Sequence, residues 1–138
     1  MTLGDYLKDA TGKSWGWGVW DCCTFAANWV LIRTGVDPMA DWRGAYRDED
    51  GAAEIINAAG GLAPLWGEGL ARVPWTLVQR PAQGDVGVIR VVLQGAGGIA
   101  GEGEAGGIYT GKRWAFLAPR GLVCTPVEAV DVVRCWRG

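Results

Sequence analysis

The chain changes its repeat near Pro81, and that change constrains the fold more than any other feature. Before it, apolar residues recur at helical spacing. After it come short runs rich in β-branched and aromatic residues: "GDVGVIRVVL", "GGIYTG", "KRWAFLA", "GLVCTPV" and "VVRCWRG", most of them separated by glycine or proline. Helices first and four to six short strands second predict an α+β fold, with N-terminal helices packed on one face of a small antiparallel β-sheet. A length of 138 residues fits one domain, with a helical part over about 1–80 and a sheet part over about 81–138. The seam near Arg80 is a change of element type, not a domain boundary.

Local signals place the elements. Thr2 caps a first helix that Gly12 stops, with Asp5 three residues after the cap. Asp21 caps a second, ended by Thr34-Gly35, in which Cys22, Phe25, Ala26, Trp29, Val30 and Arg33 recur on one face. Asp37-Pro38 reads as the start of a short helical piece. Asp50 reads as the cap of a helix running through Ala58 and closed by Gly60-Gly61. "LAPLWGEGLARVPW" reads as irregular. "QGAGGIAGEGEAGG" reads as a flexible hairpin loop that keeps Glu102 and Glu104 in solvent. It is no phosphate loop, because it lacks the Lys-Ser/Thr ending and no helix follows.

Several function classes are excluded. The chain contains no histidine, which removes any mechanism that draws an imidazole base or ligand from the chain itself. Net charge is −2 with no basic block, so the footprint of a nucleic-acid binder is missing. No apolar run approaches the ~20 residues of a membrane span, and the polar start, Met1 to Lys13, does not resemble an export signal. The four cysteines then read as thiols in a reducing cytosol. No CxxC spacing occurs, so no metal or other cofactor is expected. Of nine tryptophans, Trp29 and Trp114 fall in regular elements and read as core. Trp15, Trp17, Trp20, Trp42, Trp66 and Trp75 fall in loops or at element ends, where rings wedge over a cleft or anchor a partner protein.

The stretch "VWDCCTFAANW" carries the chemistry. A cysteine in the first turn of a helix sits in the field of free backbone N–H groups, which favours its thiolate. Cys22 directly follows the cap; Cys23 lies about a hundred degrees further round the helix. The plainer alternative is a pair of buried thiols packed as small hydrophobes. Three segments in order, "DCCTFAANW" (21–29), "PAQGDVGVI" (81–89) and "GGIYTGKRWAFLA" (106–118), resemble the NlpC-type papain-like cysteine peptidases. Those enzymes cleave peptidoglycan stem peptides, and related domains occur in phage tail-tip proteins. The resemblance spans roughly residues 15 to 137. The Asp-Cys-x-x-Phe helix, the "TGVDP" turn and the C-terminal "LV-x-x-P…WR" strand pair are similar to a phage-associated branch of the same fold.

The resemblance implies a papain-like fold and a site built around Cys22. Cys22 stands at the nucleophile position. Ala105 stands where the family has its histidine base, and Phe116, among Ala115 to Leu117, where it has the orienting polar residue. Asp21, Trp17, Trp20 and Tyr109 are candidates to line the cleft. An unassisted thiol has a pKa of about 8.5, and acid–base assistance to peptide cleavage is worth about 10²–10⁴-fold. The expectation is therefore a structural and binding component of a bacteriophage tail tip or baseplate with a peptidase fold that has lost its chemistry. It would be made in the bacterial cytoplasm and carried in the virion. Its partners would be other tail-tip proteins and, as a candidate, peptidoglycan, with neither nucleic acid nor membrane. The alternative is an active peptidase or amidase on peptidoglycan whose base comes from a neighbouring subunit. A metal- or cluster-binding module is a third reading.

Overall fold

The structure, a computed structural model, describes residues 1–91 and 103–138. Helix α1 (Leu3–Ala10) begins at a capping box: Asp5 N–H donates to Thr2 Oγ1, and the Asp5 carboxylate takes the Thr2 N–H. Helix α2 (Cys22–Thr34) starts from Asp21 and ends at Gly35, whose φ of 76° is the left-handed conformation that glycine adopts without a Cβ penalty. Helix α3 (Glu49–Ala58) is capped by Asp48 rather than Asp50. The Asp48 carboxylate accepts the Gly51 N–H at 2.7 Å, while Asp50 lies inside the first turn. The Asp37-Pro38 signal opens a run of turns over 38–44, not a helix. There Asp37 accepts the Met39 N–H and makes a two-pronged pair with Arg43 at 2.7 and 3.0 Å.

One stretch that reads as irregular is a helix. Residues Leu62–Leu70 form α4. Pro64 falls in its first turn, where a missing N–H costs nothing. Gly67 and Gly69 carry the lowest propensity short of proline, yet Gly69 has a packing reason: a Cβ there would overlap the Pro38 carbonyl oxygen. Burial of Leu62, Leu65, Trp66 and Leu70 supplies the stability that propensity lacks.

Among the described residues six strands form one antiparallel sheet in the order β1-β6-β2-β3-β4-β5. They are β1 (Thr76–Leu77), β2 (Val86–Val91), β3 (Glu104–Tyr109), β4 (Arg113–Ala118), β5 (Gly121–Pro126) and β6 (Val130–Arg137). β1 precedes the expected seam and pairs with the end of β6. The glycine-rich loop expected over 94–107 falls mostly outside the described residues, Glu102 included. Its last part, Glu104 to Gly107, is strand.

The sheet has two covered faces. Helix α2 lies across β3 and β4, and Phe25, Ala26, Trp29, Val30, Trp66, Val86, Val88, Ile108, Ala115 and Leu117 join in the larger core. The sheet curls, and its other face holds a second core of Ile89, Val91, Trp114, Phe116, Ala118 and Cys135. α2 is therefore buried over more than the expected stripe: Cys23, Thr24 and Ala27 are buried too, while Cys22 is half-buried and Arg33 exposed. The tryptophans differ from expectation. Trp29 and Trp114 are core, but so are Trp20, Trp42, Trp66 and Trp136; Trp15, Trp17 and Trp75 are half-buried, and none is exposed. The large apolar residues left in solvent are aliphatic, Val19 foremost at 77%. Among the described residues no helix is long and apolar enough to cross a membrane.

Candidate functional site

The start of α2 is organised by one carboxylate. Asp21 is 1% exposed and accepts four hydrogen bonds. Oδ1 takes the N–H groups of Cys23 (3.0 Å) and Thr24 (2.9 Å); Oδ2 takes the Gly18 N–H (2.9 Å) and the Tyr46 hydroxyl (2.5 Å). Thr24 Oγ1 returns the bond by accepting the Asp21 N–H at 2.7 Å. The side chain that reads as a helix cap thus also ties the tryptophan-rich loop and the 38–46 segment to the helix. It is the structural hub of the site. The same bonds consume the Cys23 and Thr24 N–H groups of the first turn, which would otherwise face a ligand.

Cys22 is the first helical residue, half-buried, and its backbone carbonyl faces β3. The β3 residue against it is Gly106. A Cβ there would lie 3.1 Å from the Cys22 carbonyl oxygen, 3.3 Å from Ala26 Cβ and 3.4 Å from the Trp66 ring. Strand alternation then fixes the rest. Ile108 shares the face of Gly106, and on β4 Ala115 and Leu117 join the same core. Ala105 pairs with Ile89, and directly opposed residues share a face, so Ala105 lies on the far side of the sheet. Phe116 is fully buried in the second core, also on the far side. The motif-based positions of base and orienter therefore fall one residue out of phase with the strand faces that meet α2.

The cleft candidates separate. Trp17 is half-buried and packs edge-on against Tyr46, 6.5 Å between ring centres, beside the Asp21 hub. Trp20 is buried against Phe25, with the Lys13 ammonium 4.5 Å over its ring, so it is core rather than cleft wall. Tyr109 stacks obliquely on Trp114 at 5.3 Å, on the far face of the sheet, and is not near Cys22. Asp85 is 2% exposed and pairs with Arg137 beneath the other half of α2, next to Trp29. Tyr46 is the site residue that sequence reasoning missed; Trp66, one of the rings read as wedging over a cleft or anchoring a partner, is buried against Gly106. Tyr46 lies 25 positions from its partner Asp21 with no motif to link them.

The thiols are not equivalent. Cys23 is buried, and its thiol is pushed well above the usual range, first by a side-chain hydrogen bond with Cys22 and then by burial. Cys135 is buried on the second core and pushed up to about 12, chiefly by burial. Cys124 is exposed on the edge strand β5. Burial is also the main reason that the Tyr46 hydroxyl is held well above its usual range, with Cys23 and Asp21 adding to it. That hydroxyl stays a donor to Asp21. A half-buried thiol at a capped helix start thus has a buried second thiol, a fully committed carboxyl group and the Tyr46 hydroxyl close by, while its own backbone carbonyl faces a glycine on β3.

A family model described as "Domain of unknown function (DUF6950)" matches residues 1–138. No curated protein and no solved structure matches the chain.

Proposed function

We propose that this chain, which belongs to the DUF6950 family, is a structural and binding component of a phage tail tip or baseplate, with an NlpC-like fold from which the peptidase chemistry has gone. The observation that carries the second half of this reading is the strand face opposite Cys22. It consists of Gly106, Ile108, Ala115 and Leu117, none of which can take or give a proton. The carboxyl group next to Cys22 in the chain, Asp21, has both oxygens filled by hydrogen bonds that hold the helix start. A thiol placed like this keeps the location of a nucleophile, while among the described residues the strand face opposite offers no group to activate it or to protonate a leaving amine.

The first half rests on the sequence resemblance and on the surface. With the tryptophans mostly in the core, contacts to neighbours fall to exposed aliphatic side chains: Val19 beside the site, Leu31, Ile32 and Val36 at the end of α2, and Val132 and Val133 on β6. Purified particles of the encoding phage test it. Stoichiometric recovery of the chain by mass spectrometry in an isolated tail fraction is the expected result. Its absence from particles made by cells that express it would refute the tail-tip assignment.

A further inference from the structure

The two edges of the sheet differ. β1 is two residues long, whereas β5 presents a six-residue edge. β5 runs beside β4 without a register shift, so no bulge turns it away. Its residues, GLVCTP, include no charge, the device with which edge strands commonly prevent pairing, and its one proline comes last. Among the described residues no strand lies on its outer side, and its outward amide groups have no backbone partner there.

The pairing with β4 shows which groups those are. Ala118 and Gly121 close the two-residue turn Pro119-Arg120 as a hydrogen-bonded pair. Bonded and open pairs alternate from there. Cys124, opposite Ala115, is in an open pair, so its N–H and C=O turn to the free edge, as do those of Leu122 opposite Leu117. The Cys124 side chain lies on the α2 side of the sheet, because opposed residues share a face. Helix α2 covers β3 and β4, and Cys124 is exposed.

We propose that β5 pairs antiparallel with β5 of a second copy of this chain, with Cys124 opposite its own counterpart, so that the two sheets become one. A two-fold axis between antiparallel strands requires some residue to lie opposite itself. With Cys124 on the axis, Arg120 of each copy stands opposite Glu128 of the other. Arg120 lies in the turn before β5 and Glu128 in the short 3-10 turn (Val127–Ala129) after it. Both are exposed, and neither has an ion-pair partner among the described residues. An axis at Val123 would set Arg120 against Pro126, and an axis at Thr125 would set it against Val130; either forfeits both ion pairs. This charge complementarity selects a second copy as the occupant and Cys124 as the centre. An edge of this length is small beside the ~1,200–2,000 Å² of a stable interface, so the dimer is a weak, reversible one.

Sedimentation equilibrium of the full chain in reducing buffer, from about 10 µM to about 1 mM, tests the pairing. Monomer should pass to dimer across that range. Arg120→Glu turns two attractive pairs into two repulsive ones and should weaken the dimer about tenfold. Combining Arg120→Glu with Glu128→Arg should restore it. Both residues are exposed, so these variants should melt with the wild type. Backbone-bonded antiparallel pairs hold their Cα atoms about 5.5 Å apart, so bismaleimidoethane should link the dimer through Cys124. Cys124→Ser should dimerise but not be linked. A chain that stays monomeric at the highest concentration, an Arg120→Glu variant that dimerises like the wild type, a double reversal that restores nothing, or a wild-type dimer left unlinked would overturn the proposal.

Discussion

Replacing Asp21 by alanine probes the hub of the site. The substitution strands four buried donors: the N–H groups of Gly18, Cys23 and Thr24 and the hydroxyl of Tyr46. A buried donor left unpaired costs about 1–3 kcal/mol, and loss of a helix cap alone costs about 0.5–2 kcal/mol. The space vacated by the carboxyl group admits water, which re-partners some of the donors, so the four costs do not simply add. The expected loss is about 3–5 kcal/mol, out of a total stability of about 5–15 kcal/mol for a domain. Asp21→Asn is the sharper comparison. Its amide oxygen keeps the Cys23 and Thr24 N–H groups, while its NH₂ faces the Gly18 N–H and turns one acceptor into a donor. That variant should lose about 1–3 kcal/mol. Tyr46→Phe removes one of four donors and should lose about 0.5–1.5 kcal/mol. Urea unfolding followed by far-ultraviolet circular dichroism reads all three, with the slope checked for constancy. An Asp21→Ala loss below about 1 kcal/mol, or an Asn variant as unstable as the Ala variant, would refute the division of labour between the two oxygens.

Other perturbations follow from the same packing. Gly69→Ala drives a methyl group into the Pro38 carbonyl and should lower stability by about 2–4 kcal/mol, read as a fall in melting temperature; a neutral result would mean that α4 does not pack on Pro38 as described. Stability should decline as pH rises from about 8.5 toward 12. The unfolded chain gives up its thiol and phenol protons there, while burial holds Cys135, Tyr6 and Tyr46 protonated in the folded state and the hydrogen bond with Cys22, then burial, does so for Cys23, so the contribution is complete below the lower limit and lost above it. A melting temperature that is flat between pH 8 and 10.5, with Cys135→Ala as the comparison, would contradict this. Titration with a thiol-reactive disulfide should modify Cys124 first and Cys22 next, with Cys23 and Cys135 reacting only on unfolding; early reaction of Cys135 would show the second core to be open.

What the sequence disclosed and what it hid have physical reasons. α2 was legible because an aspartate, an apolar run and a glycine stand in the order that caps, packs and ends a helix. β2 to β6 were legible because glycine or proline punctuates most of the β-branched runs. α4 was hidden because Pro64, Gly67 and Gly69 argue against a helix locally, and only tertiary contact shows why Gly69 is tolerated. The tryptophans misled because an indole near a loop in sequence is free to turn into the core: Trp20 and Trp66 do so, leaving their indole N–H groups without protein partners among the described residues. The candidate site was legible at Cys22 and Asp21, which lie together in the chain. The opposing face was not. Motif spacing pointed to Ala105 and Phe116, while the two-residue period of the strands presents Gly106 and Leu117 to the helix.

The account turns on Cys22 facing, among the described residues, a strand surface with no base or acid for peptide cleavage, and release of new amines from purified peptidoglycan measures that directly, with Cys22→Ser as control. The account predicts the same background from both proteins, in isolation and in assembled particles. Amine release by the wild type that disappears in Cys22→Ser would contradict it. Release confined to the particle would assign the missing base to a neighbouring subunit.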